Sequence, residues 1–247
     1  MQKKSHSPNS LLRKRMWLAA MPSLVFVAVA WLVFFVDASA AFSKSFHYLG
    51  ILPRTVCGLK GILFMPFIHN SLSHIGSNTL PLLVLLWFAF FFYHTIAFRS
   101  VFMLWMLSGF FTWVIGRDAY HVGASGLIFG LVFFLFFSGI FRKYIPLVAL
   151  SLIVVFLYGS TVWSIFPFSE YLDINISWEG HLAGAVSGLL VAIVFRKEEP
   201  QKPPETWDEE DENENDDKND DRLSQAAIIF DGDNEVPGNG EPNVGLS

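Results

Sequence analysis

The sequence predicts an all-α membrane protein: a bundle of six transmembrane helices followed by a disordered acidic C-terminal tail. Three observations predict it. The 247 residues are 53% hydrophobic and include 26 Phe and 8 Trp, more apolar than an ordinary soluble domain. Six runs reach or approach the roughly 20 apolar residues that a spanning helix needs, and Glu179, at the edge of the sixth, is their one acidic residue. Charge is also divided along the chain. Residues 1–197 hold 14 Lys+Arg against 5 Asp+Glu, a net of +9, whereas residues 198–247 hold 3 against 17, a net of −14. The overall charge of −5 averages two unlike materials and says little by itself. No nucleic-acid partner is expected. The single cysteine, Cys57, cannot form an internal disulfide.

Taken in order, residues 1–15 form a basic N-terminus with Lys3, Lys4, Arg13, Lys14 and Arg15. The first span is Met16–Val36. Its basic flank and the Ala38-Ser39-Ala40 string resemble a secretory signal, but the apolar run is about twice the usual length, so a retained anchor is expected. A long loop, Asp37 to Ser73, leads to Ile75–Phe92, Ser100–Ile115, Ala124–Phe141, Tyr144–Phe166 and Trp178–Phe195. Residues 16–197 are thus read as one six-span domain. Residues 198–247, with Asp208-Glu209-Glu210-Asp211-Glu212, carry too much charge and too little apolar surface to fold alone. A cytoplasmic partner of this tail, through the apolar island Ala226–Phe230, is the alternative to a purely solvated tail.

Orientation follows from basic residues, which favour the cytoplasm. The N-terminus belongs inside, and six spans return Arg196 and Lys197 there. Arg142 and Lys143 also fall inside, while Glu170 and Asp173 fall outside. Lys44, Arg54 and Lys60 in the first loop run against this assignment, and the N-terminal cluster outweighs them. The expected location is a cell (inner) membrane with both termini cytoplasmic.

Polar side chains are costly in hydrocarbon and mark functional candidates. Three such places stand at the starts of the second, fourth and sixth spans: His74-x-x-x-Asn78, Gly123-Ala124-Ser125-Gly126 and Gly180-His181-x-x-Gly184. Alternate spans run in the same direction, so all three share one depth near the outer surface. His74 and Asn78, four apart, share a helix face. His181, Gly184 and Gly188 share another, and Gly126 with Gly130 forms a second small-residue pair that lets helices approach. Close packing of the fourth and sixth spans would bring His181 within hydrogen-bond reach of Ser125. A serine, a histidine and additional donors are what acyl-transfer hydrolysis requires.

At these residues the sequence resembles the rhomboid family of intramembrane serine proteases, over approximately residues 16–195. The strings His69-x-x-x-x-His74-x-x-x-Asn78, Gly-Ala-Ser-Gly and His-x-x-Gly-x-x-x-Gly occur in the family's order. The resemblance implies a six-helix bundle with a short central fourth helix and a Ser–His dyad in a cavity open to the outer side. By position it implies Ser125 as nucleophile and His181 as general base and then acid. It implies an oxyanion hole of His74, Asn78 and the Ser125 N–H, with His69, Gly123, Phe129 and Gly184 in support. Substrates would be transmembrane proteins within the lipid bilayer, and no metal or other cofactor is implied. Two departures stand out: the first loop lacks the Trp-Arg pair of many members, and Phe129 occupies a place where tyrosine is frequent.

No third triad member is evident. Glu179 precedes His181 by two residues and so points about 200° away, and Asp118 is expected to stay solvated beside Arg117. A non-catalytic relative that binds membrane clients is the alternative function. Metal or haem ligation by His69, His74, His94, His121 and His181 is disfavoured, because His94 falls on the inner side and the others lack Cys or carboxylate partners at ligand spacing. Cys57 has no histidine near it in sequence to activate it as a nucleophile.

Overall fold

A computed structural model describes residues 8–39, 45–167, 177–198 and 201. The acidic tail, the far N-terminus and the Glu170–Asp173 loop lie outside the described residues. Helix α1 is Pro8–Ala38, α2 is the single turn Gly61–Phe64, α3 is Leu72–Phe92, α4 is Ala97–Ile115, α5 is Ser125–Arg142, α6 is Ile145–Tyr158 and α7 is Trp178–Val194. Among the described residues there is no β-strand, only one isolated antiparallel bridge between Ile51 and His121. Five helical segments are long and apolar enough to cross a membrane, counting α6 with its continuation to Ile165, and α7 is a shorter apolar helix of 17 residues.

Each helix buries the face its composition allows. Along α1 the buried positions are Ala19, Ser23, Val27 and Ala30, a narrow stripe at steps of four, four and three. The rest of that helix exposes large apolar side chains such as Trp17, Met21 and Leu32. Helix α5 is apolar on all sides and is the centre of the bundle, with every residue from Gly126 to Val132 buried. Helices α5 and α7 meet through glycines. A β-carbon at Gly184 would collide with the carbonyl of Gly126, and one at Gly188 would lie 2.5 Å from the Gly130 oxygen. Two backbones therefore touch where side chains would otherwise intervene, as small-residue spacing permits.

The expected fifth span is α-helical only to Tyr158 and continues as a 3₁₀ segment, Gly159–Ile165. Glycine followed by Ser and Thr weakens the α-helix there, and 3₁₀ turns commonly finish such helices. The first loop is likewise more ordered than its composition suggests. Its turns are stitched to α4 by Trp113 Nε1 donating to Thr55 O (2.8 Å) and Trp105 Nε1 donating to Ile62 O (2.9 Å). Arg54, at a φ of 56°, donates to Gly116 O (2.6 Å) and pairs with Asp118. Asp118 is solvated as expected, but its ionic partner is Arg54 rather than its neighbour Arg117.

At the opposite end of the bundle Arg142 is buried, donating to Ser138 Oγ and Phe195 O beneath the Tyr93 ring. Read in sequence as loop charge, it instead ties the end of α5 to the end of α7.

Candidate active site

The starts of α3, α5 and α7 come together at one end. Ser71 caps α3, its Oγ accepting from His74 N (3.1 Å), which places His74 in the first turn. Asn78 follows one turn later and is buried, and among the described residues its Nδ2 donor has no partner. His69 lies buried just before the cap, its ring edge-on to His74 at 5.0 Å between centroids. Burial first, and the nearby His74 second, push the His69 imidazole down to about 4, so it is neutral at ordinary pH.

The segment leading into α5 is held against this pair. Ile51 and His121 exchange both backbone hydrogen bonds (2.9 and 2.8 Å), and Gly123 N donates to Met65 O (3.0 Å). Gly123 has a φ of 107°, and a β-carbon there would lie 2.6 Å from both Cε1 and Nε2 of His74 and 3.7 Å from Asn78 Nδ2. Only glycine satisfies both the backbone angle and the contact. Ser125, two residues on, is half-buried and opens α5. Its N–H is therefore among the helix-start donors that have no intrahelical acceptor, at the positive end of the helix dipole.

His181 sits in the first turn of α7. The glycine contacts set its level: Gly180 O and Gly184 both abut Gly126, so the His181 turn lies beside the start of α5. Its ring stacks on Phe129 at 4.3 Å and 14°. Nδ1 lies 3.1 Å from Ser164 O and 3.0 Å from Ser164 Oγ. The Ser164 hydroxyl already donates to Thr161 O (2.7 Å), and a carbonyl only accepts. Both Ser164 oxygens thus face Nδ1 as acceptors, which places the ring hydrogen on Nδ1 and leaves Nε2 a free lone pair. The expected direct bond between His181 and Ser125 is not formed: the ring's hydrogen bonds run to Ser164. Catalytic hydrogen bonds are often long in a resting site and tighten with substrate.

A second serine–histidine pair lies nearby. His121 Nδ1 is 2.6 Å from Ser177 Oγ, while its Nε2 faces Arg117 O at 3.1 Å. Here the hydrogen belongs on Nε2, and Ser177 donates to Nδ1. Ser177 Oγ also accepts from Gly180 N (3.2 Å), capping α7. Burial lowers the His121 pKa, chiefly by desolvation. With both ring nitrogens committed and His121 only 4% exposed, this pair fixes the start of α7. Glu179, also buried, accepts from Arg117 N (3.2 Å) and lies 3.8 Å from the Arg117 guanidinium. It turns away from His181, as its two-residue offset requires.

Sequence reading missed Ser164, Ser177 and the structural part played by His121. A serine just before an apolar run is a helix-start signal and would have found Ser177. Nothing in the sequence marks Ser164, seventeen positions before its partner. Cys57 is exposed in the first loop, and His94 lies at the opposite end beside Arg15.

A family model described as the rhomboid domain matches residues 56–198. An uncharacterized protein of Mycobacterium tuberculosis is 34% identical over 194 residues, covering 74% of this chain and 78% of that one. An uncharacterized protein of Mycobacterium leprae is 33% identical over 195 residues, covering 74% of each.

Proposed function

The chain belongs to the rhomboid family of multi-pass membrane proteins, and from that premise we propose that it is an intramembrane serine endopeptidase. Its substrates are other transmembrane proteins, cut near the outer ends of their spans. The observation that carries this reading is the arrangement of His181: stacked on Phe129, with Nδ1 committed to Ser164, it presents Nε2 as a base beside the start of α5.

In the reaction, Ser125 Oγ attacks the carbonyl carbon of the scissile peptide while His181 Nε2 takes the hydroxyl proton. The carbonyl oxygen becomes an oxyanion, held by His74, Asn78 and the Ser125 N–H. The buried Asn78 Nδ2, without a partner among the described residues, is a donor ready for that charge. The carbon–nitrogen bond then breaks and His181 returns the proton to the leaving amine. Water, deprotonated by His181, cleaves the acyl-serine, and the proton goes back to Ser125 Oγ. Ser164 is a positioning residue: it holds the tautomer that a carboxylate holds in a triad. A helical substrate hides its peptide bonds in its own hydrogen bonds, so spans that unwind easily, rich in Gly or other weak helix formers, are preferred.

The protease domain is residues 16–197, with both termini cytoplasmic and the site opening outward. The acidic tail meets a cytoplasmic partner or remains solvated. The absence of a Ser125–His181 hydrogen bond favours a second reading, a non-catalytic protein that binds membrane clients. A fluorophosphonate probe separates the two, because only an activated serine displaces fluoride from its phosphorus. Labelling of the full chain is expected, with loss in both Ser125→Ala and His181→Ala, and the same variants should fail to cleave a single-span substrate. Equal labelling of wild type and Ser125→Ala sinks the endopeptidase reading.

A further inference from the structure

The end of the bundle away from Ser125 carries a cavity of about 410 Å³ between α1 and the α3–α4 turn. One side is polar, formed by Lys14, Arg15 and His94; the other is apolar, with Leu18, Phe90 and Phe98. Arg15 is pinned there. Its NH2 group donates to Phe91 O (2.9 Å) and approaches His94 Nδ1 (3.2 Å), and its guanidinium lies 5.2 Å from the Phe91 ring centre. A guanidinium only donates, so His94 Nδ1 is the acceptor and the ring hydrogen sits on Nε2. Among the described residues, no partner takes the remaining Arg15 donors or the Lys14 ammonium.

The two halves of this lining ask for an amphipathic anion. Leu18 is 61% exposed and Phe98 71% exposed, so the apolar wall opens sideways to the lipid that surrounds a membrane helix. Arg13 adds a third adjacent cation, and the nearest acidic residue in α1, Asp37, is at the helix's other end. Basic pockets between transmembrane helices hold anionic headgroups, each Lys or Arg adding to the attraction.

We propose that this cavity binds one anionic phospholipid. The phosphate is held by Arg15, Lys14 and the His94 Nε2–H, and an acyl chain runs along Leu18, Phe90 and Phe98. The site is separate from the Ser125 end and does not depend on proteolysis.

Lipid retention by the full chain in neutral detergent, read by native mass spectrometry, tests it. One phosphatidylglycerol should be retained and phosphatidylcholine should not. Lys14→Gln, which removes no hydrogen bond seen among the described residues, should weaken retention about fivefold, and Lys14→Gln with Arg15→Gln by about 25-fold. Arg13→Gln, outside the cavity, should change it by less than the Lys14 substitution. Three results overturn the proposal. Equal retention of phosphatidylcholine means that apolar contact alone holds the lipid. An Arg13→Gln effect as large as that of Lys14→Gln means diffuse charge. Displacement by soluble glycerol phosphate at the lipid's own concentration means a free-phosphate site.

Discussion

At the scale of single residues, the tautomer of His181 is the decisive detail. Two Ser164 oxygens accept from Nδ1, one of them from a hydroxyl whose own hydrogen goes to Thr161 O. Ser164→Ala removes one acceptor and leaves the carbonyl. A neutral hydrogen bond contributes about 1 kcal/mol, so kcat should fall roughly fivefold with KM unchanged, and Ser164→Thr should restore it. Steady-state cleavage of a single-span substrate measures this; a Ser164→Ala enzyme with wild-type kcat removes Ser164 from the positioning role. Sequence spacing alone gave directions to His74, Asn78 and Glu179, because each is read within one helix. Ser164 was not legible, because its link to His181 joins two separate elements that no periodicity relates. The His121–Ser177 pair shows the converse: the same two residue types meet at 2.6 Å, yet Ser177 is engaged in capping α7 and the other ring nitrogen of His121 is bonded to Arg117 O.

At the scale of elements, the glycine contact between α5 and α7 sets the height of the whole site. Gly184 has no room for a β-carbon against Gly126 O. Gly184→Ala must push the helices apart at an overpacking cost of about 1–3 kcal/mol, moving His181 relative to Ser125 by a distance at which roughly 100-fold rate losses occur. Both Tm and cleavage should fall together. Gly76→Ala is the matched control inside α3, where nothing lies within 4 Å of the added carbon; it should leave cleavage unchanged and not lower Tm, since alanine favours the helix over glycine. Thermal unfolding and cleavage rates of the two variants, measured side by side, decide the matter; an unaffected Gly184→Ala shows that the close approach is dispensable. This packing was readable beforehand from Gly126, Gly130, Gly184 and Gly188 at steps of four. The ordered turns of the first loop were not, since they depend on partners distant in sequence, Thr55 and Ile62 on the α4 tryptophans; the 3₁₀ end after α6 follows the local Gly159-Ser160-Thr161 string and is masked in the sequence by the apolar run that continues past it.

At the scale of the whole molecule, the all-α bundle was plain from composition, whereas its orientation rests on counting basic residues, and the structure complicates that count. Arg142 is spent on Ser138 and Phe195 and Arg54 on the Gly116 carbonyl and Asp118; two of the charges that would vote on topology serve packing instead. The proposed cytoplasmic start of α1 therefore rests on the N-terminal cluster, in which Arg13 and Lys14 are both exposed. Cys57 makes this directly measurable. It is the chain's one cysteine and is exposed, and it sits in the first loop, whose Met65 carbonyl holds Gly123 beside Ser125. The side from which Cys57 is reached is therefore the side on which the site opens. A membrane-impermeant maleimide applied to intact cells should label the wild-type chain and not Cys57→Ser. Labelling only after the membrane is permeabilised would invert the bundle. The basic end of α1 and its lipid cavity would then face outward, and proteolysis would act on the cytoplasmic ends of substrate spans.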